Sequence, residues 1–404
     1  MKHLRTWKTR ISFLLVSVLF AGFVVTPNVF AAGYTWTELA GSPTAFWDEI
    51  GSSGDGKYLA ACSWPGYIYT SSDYGATWKQ LTAFGHSQWC TTDGVAISAD
   101  GHYQVVVGSD TIMSDDYGAT WSAAYSPGSG AFEAVAMSAD GKYLAAATND
   151  FDPPGNGDIW TSIDYGHTWT DQAASGDHQW SSIVSSSDGS HIVAAAYNGN
   201  VYASSDYGVT WSQTSAGSRS WYAVVSSASG QYLAATASNY PTPGDIYTSS
   251  DYGATWTDRT SAGSRLWGTL TSSSSGQYLA VAAGGNGWSG DIYTSSDYGV
   301  TWTDQTTTAS APVSSALASN ATGSRLVSAT FNGDIWTAYN PALDPVPAGP
   351  STSNSSGESM PIPHPAAPDT GYGRPLRSDP LLIVLIAGTI FSIGVGLRLL
   401  YKQS

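Results

Sequence analysis

The chain has 404 residues, 17 of them Trp and 24 Tyr, while only 11% are charged. The formal net charge is −16, which repels phosphate backbones and sets nucleic acid aside as a partner. Two cysteines are too few for a disulfide-built fold, so apolar packing has to supply the core.

The first element is a secretory leader over residues 1–32. Lys2, Arg5, Lys8 and Arg10 form a basic start, Ile11 to Val25 an apolar stretch, and Val29-Phe30-Ala31 a small-x-small cleavage site. Export places the mature chain in an oxidising compartment.

Residues 33–340 carry a repeat. The pattern Ser-x-Asp-Tyr-Gly-x-Thr-Trp appears in six complete copies, centred on Asp73, Asp116, Asp164, Asp206, Asp251 and Asp297, at intervals of 42 to 48 residues. A period of this length means propeller blades or a solenoid. Within one period, such as 221–258, four short runs rich in Val, Ala, Tyr and Thr are split by Gly, Ser and Asp turns, which reads as a four-stranded antiparallel meander, strands A to D. Residues 312–340 supply strands A to C of one more blade, and the missing strand D is found at the other end of the chain in Tyr-Thr-Trp-Thr-Glu-Leu, 34–39. The expected fold is therefore all-β: a seven-bladed propeller whose last blade is closed by the N-terminal strand, leaving no free sheet edge.

The repeated motif is read as scaffold. Its Asp accepts hydrogen bonds from the amides of its own turn, its Gly takes a backbone angle that other residues resist, and its Trp fills the gap between blades. The motif resembles the Asp-box, or BNR, repeat of sialidases, xyloglucanases, sortilin-type receptors and the photosystem II assembly-factor family, over about residues 34–340. The resemblance implies a propeller whose Asp boxes lie on the face opposite the usual ligand site. It implies little about activity, because these relatives share the blade and not a chemistry.

A ligand is then expected on the face made by the D–A and B–C connections. Trp47, Phe132, Trp180, Trp221 and Trp267 open strand A in five blades, with Arg219, Arg265, His178 and Gln179 beside them. Two readings stay open: a ring of aromatics that stacks on sugars while its neighbours bind hydroxyls, or wedges between blades. Asp158, Asp245, Asp291 and Asp334 precede strand C and read either as an acidic rim or as turn residues. An enzyme reading finds little support. Sialidases need three arginines and an Arg-Ile-Pro motif, whereas the propeller has few arginines, mainly Arg219, Arg259, Arg265 and Arg325, and no Arg-Ile-Pro. The acids near the starts of strand A, namely Asp48, Glu49, Asp93, Glu133 and Asp177, only leave room for the carboxylate pair that a glycosidase needs. No histidine spacing suits a metal and no cofactor motif occurs, so neither is expected. Cys62 and Cys90 fall at the same face of adjacent blades and read as a disulfide or as two buried thiols.

Residues 341–379 are dominated by Pro, Ser and Gly and read as an extended stalk. An apolar stretch follows within 380–400, with a short tail at 401–404, which together read as a membrane anchor. Ala-Pro-Asp-Thr-Gly at 367–371 resembles a sortase sorting signal, with Ala367 in place of the usual Leu. If it is used, cleavage falls between Thr370 and Gly371 and joins the chain to the cell wall. The expectation is a monomeric propeller held outside the cell, binding an extracellular glycan or protein without catalysis. A surface glycoside hydrolase or an assembly factor stands as the alternative.

Overall fold

The computed structural model describes residues 33–39, 41–82, 94–108, 111–124, 132–148, 157–238, 241–284, 290–306, 314 and 316–344. The leader at 1–32, the stalk beyond residue 344, the anchor and the sorting-like sequence with Thr370 and Gly371 lie outside them. Among the described residues no helix is long and apolar enough to cross a membrane.

The described chain forms seven antiparallel sheets, one per blade. Blade 4 is representative: Trp180–Ser185, Ile192–Ala196, Val201–Ser204 and Ser212–Gln213 follow one another as strands A to D. Blade 7 is built from both ends of the described chain. Ala316–Ser319, Arg325–Ala329 and Ile335–Tyr339 are completed by Thr35–Glu38, with Thr35 opposite Tyr339 and Glu38 opposite Trp336. The N-terminal strand thus closes the ring.

A second closure joins blades 7 and 1. Phe331–Gly333 pairs with Ala45 and Phe46 at the head of strand A of blade 1. Equivalent stitches recur elsewhere as single bridges, Gly157 to His178, Gly199 to Arg219 and Gly244 to Arg265. In each, the B–C connection of one blade holds the linker entering the next.

The A strands converge on the axis, where small side chains are obligatory. A Cβ placed on Gly51 would meet Val95 Cγ1 at 2.7 Å, and one on Gly94 would meet the Val135 amide nitrogen at 2.9 Å. Apolar seams fill the space further out. Trp47, Ile50 and Leu59 of blade 1 pack on Ala316, Val327 and Ile335 of blade 7, and Trp221 and Leu233 of blade 5 pack on Val184 and Val193 of blade 4.

On the opposite face each Asp-box hairpin locks itself. In blade 4 the Thr210 amide and hydroxyl donate to the two oxygens of Asp206 at 2.8 and 2.7 Å, Ser204 donates to Asp206 at 2.8 Å, and the Gly208 amide donates to Ser204 Oγ at 2.9 Å. The Trp211 indole closes the turn on the Gly208 carbonyl at 2.7 Å. Hydrogen bonds to the ionised carboxylate depress the pKa of Asp206, and the same bonds outweigh partial burial at Asp73, Asp116, Asp164, Asp251 and Asp297. Depressed native pKa values give stability that is present above the ordinary carboxylate range and lost as pH falls through it. Asp206→Ala is expected to cost about 1–2 kcal/mol, since it removes a charged acceptor from three donors. Urea unfolding at pH 7 measures this, and a variant as stable as the parent would show the hairpin to be held by packing alone.

The motif tyrosines adopt left-handed backbone angles, with φ between 60° and 63°. Each ring rests on a side chain from the preceding blade. Tyr117 pairs with Tyr58 at 5.1 Å, Tyr165 with Tyr103 at 4.5 Å, Tyr207 with Tyr143 at 4.7 Å, Tyr252 with His191 at 4.7 Å and Tyr298 with Tyr232 at 4.5 Å. At the closing seam the Arg325 guanidinium lies 4.9 Å from the Tyr74 ring.

Candidate functional site

On the D–A/B–C face the burial of the strand A aromatics decides between the two readings left open by the sequence. Trp47, Trp180, Trp221 and Trp267 are 0% exposed and Phe132 is 1% exposed, so none offers a ring face to a sugar. Each ring turns into a seam and is boxed by its own blade. Trp180 meets Tyr202 edge-on at 5.4 Å and lies 6.4 Å from Trp211, and Trp221 meets Tyr247 and Trp256 at 5.2 and 6.2 Å. The reading of these five residues as sugar platforms is corrected to blade wedges. The physical reason is that an indole at this strand end is covered by the strand C tyrosine and sealed from above by the incoming linker.

The polar neighbours form that seal. The Arg219 guanidinium lies 4.4 Å over Tyr247 and 5.6 Å from Trp221 and donates to the Ala216 carbonyl, and Arg265 repeats this over Tyr293 and Trp267 with the Ala262 carbonyl. His178 stacks on Tyr202 at 4.7 Å, and burial lowers its pKa. The Gln179 carbonyl accepts from the Tyr197 amide at 2.6 Å. These four residues therefore hold linkers in place instead of lining an open site. Two of the acids before strand C hold the linker entering the next blade: Asp245 accepts from Ser264 at 2.6 Å and Asp334 from Thr44 at 2.8 Å. Among the described residues no group of three His, Cys, Asp or Glu could hold a metal ion.

An aromatic that the periodic reading passed over is exposed instead. Trp64 ends strand B of blade 1 (Leu59–Trp64) and is 51% exposed. Among the described residues it is the one exposed large hydrophobic side chain outside the Asp-box hairpins. Strand pairing sets it opposite Phe46, whose ring meets it edge-on at 6.2 Å, and Phe46 meets Phe331 of the blade 7 hairpin at 5.1 Å. Three strands thus converge on one aromatic ledge at the closing seam. The signal in the sequence is Ser-Trp-Pro-Gly-Tyr at 63–67, a B–C turn unlike those of the other blades.

Beside the ledge, strand A of blade 1 (Ala45–Ser52) is irregular between Trp47 and Glu49, and similar irregularities follow Phe132, Trp180 and Trp221. This kink takes two adjacent carboxyls, Asp48 and Glu49, out of water. Burial pushes Asp48 up to about 7, and it pushes Glu49 well above the usual carboxylate range against a backbone hydrogen bond at Ile50, with the Asp48 charge adding. Asp48 Oδ2 and Glu49 Oε2 are buried without a hydrogen-bond partner. Asp48 is a carboxylic acid poised near neutrality. The two groups sit side by side on one strand and do not face each other across a cleft as a glycosidase pair does. Glu133 is half-buried, Asp177 is exposed, and Asp93 lies outside the described residues. Cys62 is buried and disulfide-bonded, and its expected partner Cys90 also lies outside the described residues.

The family model described as BNR-Asp box repeat matches residues 68–81 and 292–305, so the chain carries these repeats. No curated protein matches the sequence. Among solved structures, the chain is similar to a GH74 xyloglucanase from Xanthomonas campestris, with TM-score 0.58 and 16% identity over 78% of this chain and 55% of that one. A GH74 enzyme from Niastella koreensis gives TM-score 0.60 and 17% identity over 75% and 53%. YCF48 bound to a D1 peptide gives TM-score 0.55 and 16% identity over 76% of this chain and 96% of that one. The chain therefore spans about half the length of the GH74 structures and nearly all of the YCF48 structure. At these identities the likeness shows the fold.

Proposed function

We propose that this chain is an exported, tail-anchored surface propeller that binds an extracellular glycan through the ledge of Trp64, Phe46 and Phe331, without catalysis. The observation that carries the reading is the exposure of Trp64 on the D–A/B–C face, backed by two further rings. A large exposed indole supported from behind is a stacking platform for the apolar face of a sugar, with hydroxyl partners nearby in Thr44 and Asp334. Export and anchoring rest on the leader and on the apolar stretch within 380–400.

The test is a glycan-array screen of the mature propeller beside Trp64→Ala. Loss of at least about tenfold in affinity, equivalent to about 1.4 kcal/mol, is expected with unfolding unchanged. Equal binding by the variant and the parent would remove the ledge from the site. A second reading, a peptide ligand, is favoured by the near-complete match to the single-propeller YCF48 structure that holds a peptide. A peptide array probed with the same pair of proteins separates it. A hydrolase would release new reducing ends from the bound glycan and lose that release in Asp48→Asn.

A further inference from the structure

The Asp-box face carries an unexplained surface. Of the exposed large hydrophobic side chains among the described residues, every one except Trp64 lies in an Asp-box hairpin: five motif tyrosines at 37–45% exposure, with Ile163, Val209 and Val300. The tyrosine stands in all six copies of the motif although its neighbours change freely, from Ser to Asp or Ile before the Asp and from Ala to His or Val after the Gly. It does so at a left-handed φ that Asn or Gly adopts with less strain. Stacking on the preceding blade uses one side of each ring and leaves the rest in water. The result is a circle of aromatic side chains, with a small indentation of about 10 Å³ lined by Tyr143, Tyr207, Leu144 and Ile192.

The described chain also leaves the propeller on this face. Tyr339 donates to Asp344 at 2.6 Å, and Arg325 lies between the Tyr339 ring at 4.6 Å and the Tyr74 ring at 4.9 Å. The sequence that follows Asp344 begins beside the circle and holds seven prolines by residue 368, in Pro-Val-Pro-Ala-Gly-Pro at 345–350 and Pro-Ile-Pro-His-Pro at 361–365, with Pro368 after them. At about 3.5 Å per residue at most, the seventeen residues from Asp344 to Pro361 can span up to about 60 Å.

We propose that the proline-rich segment 345–368 of this same chain docks across the tyrosine circle of the Asp-box face. Proline-rich chain is stiff before it binds, loses little entropy on docking, and is recognised by aromatic-lined surfaces in other proteins. Tethering at Asp344 keeps the segment at high local concentration, so weak individual contacts suffice. The segment becomes a strap over the blade junctions instead of a free spacer.

The described fold is complete between Thr35 and Asp344, so chains 33–344 and 33–379 are the same folded body without and with the segment. Isotope-labelled 33–379 is compared by NMR with a free 345–379 peptide, and the peptide is added in trans to 33–344. The expected result is that the segment's signals are broadened and shifted from those of the free peptide. The Tyr74→Asn/Tyr207→Asn variant, which suits the left-handed angle and so keeps the fold, returns them at least half-way. Sharp signals identical to the free peptide in 33–379 would overturn the proposal. So would concentration-dependent self-association of 33–344 that persists unchanged in 33–379, which would assign the circle to a second copy of the chain.

Discussion

The Asp48→Asn/Glu49→Gln double variant is expected to be more stable than the parent at pH 8 and to lose most of the parent's dependence on pH between about 4 and 8. Burial raises both carboxyls, Asp48 up to about 7 and Glu49 well above its usual range. The native state therefore keeps protons that the unfolded chain has already released. Stability falls as pH rises from the ordinary carboxylate range through the native pKa, the opposite direction to the Asp boxes. For Asp48 alone the rise from 3.8 to about 7 corresponds to about 4 kcal/mol across that window, at about 1.36 kcal/mol per unit. Chemical unfolding at pH 5, 6.5 and 8 measures the effect. A parent whose stability is flat across the three values would mean that the pair is paired or hydrated in solution. Together with the acid-labile Asp boxes, the pair predicts a stability optimum on the mildly acidic side of neutrality.

Trp221→Ala is expected to lose about 3–5 kcal/mol of unfolding free energy, the range for removing a fully buried large aromatic ring. The ring is closed in by Tyr247, Trp256 and the Arg219 guanidinium, so the space left behind cannot easily collapse. Trp64→Ala, at a half-exposed site, is expected to lower stability by less than about 1 kcal/mol. The pair forms a crossed test: stability should fail in the first and ligand affinity in the second. If Trp221→Ala unfolds like the parent while affinity collapses, the buried ring belongs to the binding site after all.

This contrast shows what was legible in the sequence and what was not. The blade count followed from the Asp-box period and from the resemblance of Tyr-Thr-Trp-Thr-Glu-Leu at 34–39 to the other fourth strands, because strand pairing at a closed ring must be complete. Periodicity left the strand A aromatics open between sugar platforms and blade wedges, and burial decides for wedges. A residue that recurs in five blades is solving a problem that every blade has, which is filling a seam, and Trp180 and Trp267 are buried for that reason. Trp64 occurs once, in one turn, and so left no period to detect. The burial of Glu49 was hidden for another reason, since the irregularity after Trp47 decides which way the next side chains point and depends on the pairing partner in strand B. The Phe331–Gly333 pairing with strand A of blade 1 was likewise invisible, because among the described residues no other blade extends that bridge into a strand.

The way the ring is closed also decides how the molecule carries a mechanical load. A pull transmitted through the chain beyond Asp344 enters the propeller at Tyr339, the last residue of Ile335–Tyr339. That strand is hydrogen-bonded on both sides, to Thr35–Glu38 and to Arg325–Ala329, in antiparallel register. Tension along it must shear two ladders at once, not peel a single edge open, and the strand that shares the load is Thr35–Glu38. A propeller closed within its last blade by consecutive strands alone would present a fourth strand to peel. Here the attachment point is an interior strand of its blade, paired on both sides, and not an edge strand.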